Sequence, residues 1–291
     1  MKRRPFLKAA AASLALPQIL IGKSGNPMDR IALTSVTFRF RFSQTSPDGK
    51  GDLLLTEIPA YFADEFGLIN VEFWSKHFES QESSYLDKLK AKLSEAKTHL
   101  INVQLDETYN LSDKDPATRA ASIELCKGWI DTTAYLGAPS LRVNSGRGEK
   151  STCVASLKEL TSYAKSKGLI LLVENHGGLS SDPDELLDLI SEVDDPDLRI
   201  LADYANWPAD ADIYDSLRKI YPKTHLISAK SKEFNEAGEH TSYDFNKCTR
   251  LAEESEFTGI YSAEQWAKEN NPRDFEKAAH WMIEQLREQI G

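Results

Sequence analysis

The stretch Leu169-Ile-Leu-Leu-Val-Glu-Asn-His-Gly-Gly178 sets three side chains able to move protons or hold a ligand, Glu174, Asn175 and His176, directly after five apolar residues. An apolar run this short and uniform fits a strand buried on both faces, as in a parallel sheet. Gly177-Gly178 then turns the chain, and Asp182-Pro183 opens a helix expected over Asp184–Val193. Strand, polar tip, turn and helix is how active-site loops are built at the carboxyl ends of parallel strands. The same punctuation recurs as Glu72 and Trp74 with His77, Gln104 with Asp106, and Arg142 with Asn144. Later come Asp203 with Asn206 and Trp207, Ser228 with Lys230, and Glu264 with Trp266. Three carboxylates, Glu174, Asp203 and Glu264, end three of the last four apolar runs. Gathered at one rim they repel unless a cation joins them. Oxygen ligands select Mg²⁺ or Mn²⁺, and a histidine admits Zn²⁺ or Co²⁺.

Those residues need elements that bring them together. The apolar runs predict eight strands: Ile31–Val36, Leu68–Phe73, Leu100–Leu105, Pro139–Val143, Leu169–Val173, Leu198–Ala202, Thr224–Ala229 and Gly259–Ala263. Helical periodicity fills the gaps at Ile58–Phe66, Tyr85–Lys97, Ala117–Leu136 and Val154–Lys167. It continues at Asp184–Val193, Ile213–Tyr221, Asp244–Glu254 and Pro272–Gln289. Gly67, Gly137, Gly168 and Gly259 stand where helix C-cap glycines belong. Eight strand–helix alternations without a compositional break predict an α/β fold, a closed (β/α)₈ barrel over residues 29–291. A doubly wound open sheet is the alternative, but the early glycine-rich phosphate loop it needs is missing from the sequence.

At 291 residues, 41% hydrophobic and 27% charged, the chain has material for one large core. Lys2, Arg3, Arg4 and Lys8 carry four positive charges, so the rest stands at −14, four below the −10 of the whole. An acidic body of this kind repels phosphate backbones and argues against nucleic acid as a partner. Cys126, Cys153 and Cys248 lack metal-ligand spacing and read as small buried apolar residues. The segment Met1–Ile21 has a basic start and a short alanine-rich apolar run, the layout of an export signal; residues 1–28 are assigned to it, with cleavage between Ala9 and Ser24. Arg3-Arg4-Pro-Phe-Leu-Lys8 resembles a twin-arginine motif, which implies a periplasmic or otherwise exported protein. The run is too short to span a membrane, so no span is expected in the mature chain.

Val173-Glu-Asn-His-Gly-Gly-Leu-Ser-Ser-Asp-Pro183, Leu201-Ala-Asp-Tyr-Ala-Asn-Trp-Pro208 and Ser228-Ala-Lys-Ser-Lys-Glu-Phe234 resemble the sugar phosphate isomerase/epimerase family. Tyr261-Ser-Ala-Glu-Gln-Trp266 and Val71-Glu-Phe-Trp-Ser-Lys-His-Phe78 fit the same family, part of the xylose isomerase-like TIM barrel superfamily. The resemblance implies one divalent metal, Mn²⁺ or Mg²⁺ first, held by Glu174, Asp203, a strand-seven histidine and Glu264. The histidine position is Ser228 here, and His225 lies an odd offset away, on the opposite face of a regular strand. His176 is a local replacement, two residues past Glu174.

The implied reaction is proton transfer next to the carbonyl of a small carbohydrate through an enediolate, with Glu174 and Glu264 as the proton carriers and Lys230 and His176 assisting. Arg142, Trp74, His77, Asn206, Trp207 and Trp266 are the expected substrate contacts. A keto-sugar lyase or deglycosidase would use the same proton abstraction, and a carbohydrate-binding barrel with degraded catalysis is the non-enzymatic alternative. Endonuclease chemistry, also found in the superfamily, is disfavoured by the acidic body and the export signal.

Overall fold

A computed structural model describes residues 25–267 and 275–291. The expected export signal, apart from its last residues, lies outside that range. The strands are β1 Ile31–Thr34, β2 Asn70–Trp74, β3 His99–Gln104, β4 Ser140–Val143, β5 Ile170–Glu174, β6 Leu198–Asp203, β7 Thr224–Ser231 and β8 Ile260–Gln265. All pair in parallel with their chain neighbours, and β8 pairs back onto β1, closing an eight-stranded barrel. Around it run α1 Ile58–Phe66, α2 Ser83–Ala96, α3 Pro116–Leu136, α4 Lys150–Ser166, α5 Pro183–Val193, α6 Ile213–Ile220, α7 Phe245–Glu254 and α8 Phe275–Ile290. Among the described residues no helix is long and apolar enough to cross a membrane.

Local chemistry starts and stops these helices. Asp115, Asp182, Asp212 and Asp244 each accept hydrogen bonds from backbone N–H groups of the first turn, and Pro116 and Pro183 follow two of these caps. Gly67 and Gly137 end α1 and α3 in the left-handed region at φ 65° and 82°. Gly259 departs from the expectation: it is no cap, and a Cβ there would lie 2.4 Å from the His225 carbonyl oxygen. It is glycine because β8 enters close against β7. The first strand is also shorter than its apolar run, since Ser35–Arg41 winds into 3₁₀ turns after Thr34.

The barrel interior has two storeys. Near the amino ends of the strands, Ala32, Leu172, Leu201 and Leu226 form a buried apolar cluster separate from the large core between barrel and helices. Two residues further along β5, β6 and β7 stand Glu174, Asp203 and Ser228, and Lys230 follows two later. Side chains alternate along a strand, so the same inward row passes from apolar plug to polar ring. Register fixes the neighbours: Lys230 is opposite Glu264, Asp203 opposite Ser228, and Gln104 opposite Arg142. The three cysteines are free and buried.

Candidate active site

The polar ring is held together by two cations. The Arg142 guanidinium reaches Asp106 with two nitrogens, Nη1 to Oδ1 at 2.6 Å and Nη2 to Oδ2 at 3.1 Å, while its Nε lies 2.8 Å from Glu174 Oε2. The Lys230 ammonium lies 2.8 Å from Asp203 Oδ2 and 3.0 Å from Glu264 Oε1. Asn206 joins the two halves, donating to Glu174 Oε1 at 2.9 Å and accepting from Lys230 at 3.1 Å. Gln104 extends the ring by donating to Glu264 at 3.2 Å and to Glu72 at 3.0 Å.

Burial opposes every charge here, and the partners decide which survive. It works against the Lys230 ammonium, but Asp203 and Glu264 outweigh it and raise its pKa. Burial likewise opposes the Arg142 charge, and Asp106 and Glu174 hold it. Asp203, though buried, stays below the usual carboxylate range because Lys230 and the N–H of Ala205 favour its anion. Glu174 goes the other way: burial raises it beyond what Arg142, His176 and Lys230 restore. Glu72, buried under the ring, is pushed up to about 7 by burial, despite hydrogen bonds from Ser262 and Asn102.

The donor set for a divalent cation can be tested atom by atom. Asp203 Oδ1 accepts from two backbone N–H groups and Oδ2 faces Lys230. Glu264 Oε1 faces Lys230, and Oε2 accepts from Gln104 and from the Ser228 hydroxyl at 3.3 Å. Glu174 is divided between Arg142 and Asn206. Each oxygen thus has a polar neighbour, but Glu174 Oε2 and Asp203 Oδ2 meet theirs as ion pairs without a hydrogen bond. A divalent ion at roughly 2.1 Å from Asp203 Oδ2 and Glu264 Oε1 would stand where Nζ stands or beside it. At about 3 Å from an ammonium, the repulsion is on the order of 10 kcal/mol at an effective dielectric near 20. Among the described residues, no group of three or more His, Cys, Asp or Glu is arranged to hold a metal ion. The residues do not fit the expected metal, and the cation between Asp203 and Glu264 is Lys230.

The remaining expected site residues divide into rim and core. Trp74 lies at the rim, half-buried, its Nε1 donating to Asp106 at 2.7 Å. Trp266 is 41% exposed, packs edge-on to Trp74 and carries the Arg39 guanidinium 4.3 Å from its ring centroid. His176 is exposed beside Asp106 and Glu174, and no described contact places its ring against Asp203 or Glu264. Two expected substrate contacts are displaced. His77 is fully buried, stacked on Phe42 at 3.7 Å and bonded through both ring nitrogens to Ser35 and Thr45. Burial pushes its pKa down to about 3, so it is a neutral packing residue rather than a sugar contact. Trp207 is buried in the core around the barrel. His225 stands at a register shift at the start of β7, the opposite end from Lys230. A cavity of about 600 Å³ lies outside the ring between Ser75–Phe78 and α3, lined by Lys76, Glu107 and Trp129 but by none of the ring residues.

Two contributors escaped the sequence reading. Asp106 was visible at a strand end but had no role until the register set Gln104 beside Arg142. Arg39 had no signal at all: it lies in a 3₁₀ segment and donates to the carbonyls of Gln265 and Ala267, at the end of β8 and just past it.

The model of one family, described as xylose isomerase-like TIM barrel, matches residues 61–285. The chain belongs to the xylose isomerase-like TIM barrel family. No match was found among curated proteins. Among solved structures, a xylose isomerase-like TIM barrel protein from Mycobacterium smegmatis, in complex with magnesium, superposes with TM-score 0.65 at 16% identity, covering 90% of this chain and 98% of that one. D-psicose 3-epimerase from Clostridium cellulolyticum H10, with D-tagatose, gives 0.71 at 13% identity, covering 90% and 99%. The 3-keto-D-glucoside 4-epimerase of E. coli gives 0.68 at 13% identity, covering 87% and 98%. At these identities the likeness concerns the fold, and several of these neighbours on the xylose isomerase-like barrel are sugar epimerases.

Proposed function

We propose that this barrel is a carbohydrate isomerase or epimerase that moves a proton at the carbon next to a sugar carbonyl. The observation that carries the reading is the ring itself: Glu174 and Glu264, from β5 and β8, stand on either side of the Asn206–Lys230 pair at the carboxyl ends of the strands. One carboxylate takes the α-proton and the other returns it, to the same carbon for epimerisation or to its neighbour for isomerisation. Glu174, with its raised pKa, suits a group that must hold a proton between steps. Negative charge on the enediolate oxygen is met by the cationic side of the ring. Trp74 and Trp266 offer apolar faces at the entrance for the C–H surface of a sugar. The Arg3-Arg4 segment adds the proposal that the enzyme is exported, which cell fractionation with mass analysis of the mature amino terminus tests.

Ketoses incubated with the protein in D₂O should gain deuterium at the carbon next to the carbonyl, read by proton NMR. Glu174→Gln and Glu264→Gln should each lose the exchange. A second reading, a carbohydrate-binding barrel without turnover, is favoured by the pairing of Glu174 with Arg142 and of Asp203 and Glu264 with Lys230. Calorimetric binding of a ketose without exchange would select it and overturn the enzymatic reading.

A further inference from the structure

The geometry points to Lys230 as a built-in replacement for a metal ion: its ammonium supplies the positive charge at the proton-transfer site, and the barrel works without a resident divalent cation. Three features carry this. The ammonium sits between the Asp203 and Glu264 oxygens that a cation would bridge, at 2.8 and 3.0 Å. Ser228, one inward position before Lys230 on β7, donates its hydroxyl to Glu264 and so fills a ligand position with a hydrogen bond. The third carboxylate, Glu174, is drawn to Arg142 on β4 instead of to a common centre. Two side-chain cations, fixed from different strands, thus divide the carboxylates that a single ion would gather.

The third donor of Lys230 is the one that meets Asn206. The lysine's contacts to Asp203, Glu264 and Asn206 are those of a compact charge with three donors, and an incoming carbonyl oxygen can take the place of Asn206. Held between Asp203 Oδ2 at 2.8 Å and Glu264 Oε1 at 3.0 Å, Lys230 is placed to act as a charge and not as a nucleophile. The catalytic part of this inference rests on the proposed proton transfer, whereas its metal-free part stands without it.

The test begins with metal itself. Full-length protein purified without added metal should contain no stoichiometric divalent ion by elemental analysis, and Mn²⁺ titrated into it should keep its free-ion electron paramagnetic resonance signal. Stoichiometric metal removed by EDTA, or a bound Mn²⁺ signal, overturns the inference. Lys230→Ala uncovers the carboxylates and should bind Mn²⁺ at least about tenfold more tightly than the parent, while Ser228→His with Lys230 intact should not bind it. Equal Mn²⁺ affinity in parent and Lys230→Ala, or binding gained by Ser228→His alone, would remove Lys230 as the cause. Borohydride added with a ketose should leave the Lys230 peptide at its unmodified mass, and a reduced adduct there would refute its role as a charge. Absence of deuterium exchange with every ketose, in protein that also holds no metal, would defeat the catalytic reading and leave the metal-free site standing.

Discussion

Arg142 and Lys230 each hold two carboxylates, yet they do so in unlike ways. Arg142 uses its planar fork: two nitrogens meet Asp106, and Asp106 is further tied by Asn144 at 2.8 Å and by Trp74 at 2.7 Å. Such a bidentate arrangement fixes geometry. Lys230 meets Asp203 and Glu264 as a point charge with rotatable donors, and both of these carboxylates are buried whereas Asp106 is partly exposed. The contrast separates two jobs. The Arg142 side is a clamp that orients Glu174, and the Lys230 side is a charge that a substrate oxygen can share.

The largest effect should come from removing the point charge. Lys230→Met leaves Asp203 and Glu264 buried without their counter-ion and should cost about 3–5 kcal/mol of unfolding free energy. Any ketose exchange should fall by about 10²–10³-fold. Arg142→Met should cost less, about 2–3 kcal/mol, because Asp106 keeps Asn144 and Trp74 and is partly exposed. Urea denaturation of both variants measures the difference. Equal losses would show that the two cations are equivalent and break the comparison.

Glu72 sharpens it, because this carboxyl lies under the ring and feels both sides: Glu264 raises its pKa and Arg142 lowers it. Burial dominates and places it at about 7. Between its ordinary value and about 7, the folded protein keeps a proton that the unfolded chain has released. The stability it contributes is therefore complete below the ordinary carboxylate value and is lost as pH rises to about 7. The size is roughly 3 kcal/mol. Glu72→Gln lacks this titration, so its stability relative to the parent should rise by about that amount between pH 4.5 and pH 7.5. A difference independent of pH would mean that Glu72 is ionised throughout.

Much of this arrangement was readable before any coordinates. The runs Leu169–Val173 and Leu198–Ala202 became β5 and β6 with ends moved by one residue, because strands covered on both faces must be apolar throughout. The acidic cap Asp182 likewise announced α5, whereas the Asp212 cap of α6 emerged only with the structure. Convergence of Glu174, Asp203 and Glu264 toward the carboxyl ends of their strands followed from barrel topology alone. What joins them did not, since Lys230 occupies the same inward row as any strand-seven ligand, and only side-chain distances reveal that its charge fills the gap. His77 misled for a related reason. It follows a strand end as His176 does, but the 3₁₀ segment Ser35–Arg41 folds over it and supplies Ser35, with Phe42 directly after the segment, as partners. Only Ser35 and Val36 of that segment were placed by the sequence reading, at the end of the first strand, so its effect on His77 had no local signature.

The smallest predicted effect concerns the rim. Trp266 is exposed and held by Arg39 on one face and by Trp74 edge-on, contacts that add little to folding. Trp266→Ala should therefore change unfolding free energy by no more than about 0.5–1 kcal/mol, the range of an exposed cation–π pair. If sugars enter past this ring, the same change should weaken ketose binding by roughly tenfold, corresponding to about 1.4 kcal/mol of lost aromatic contact, and leave turnover of bound substrate intact. A rise in KM with kcat unchanged assigns Trp266 to the entrance. A fall in kcat with KM unchanged would instead link the ring to Lys230, through β8 and its register with β7, and would erase the division between rim and charge.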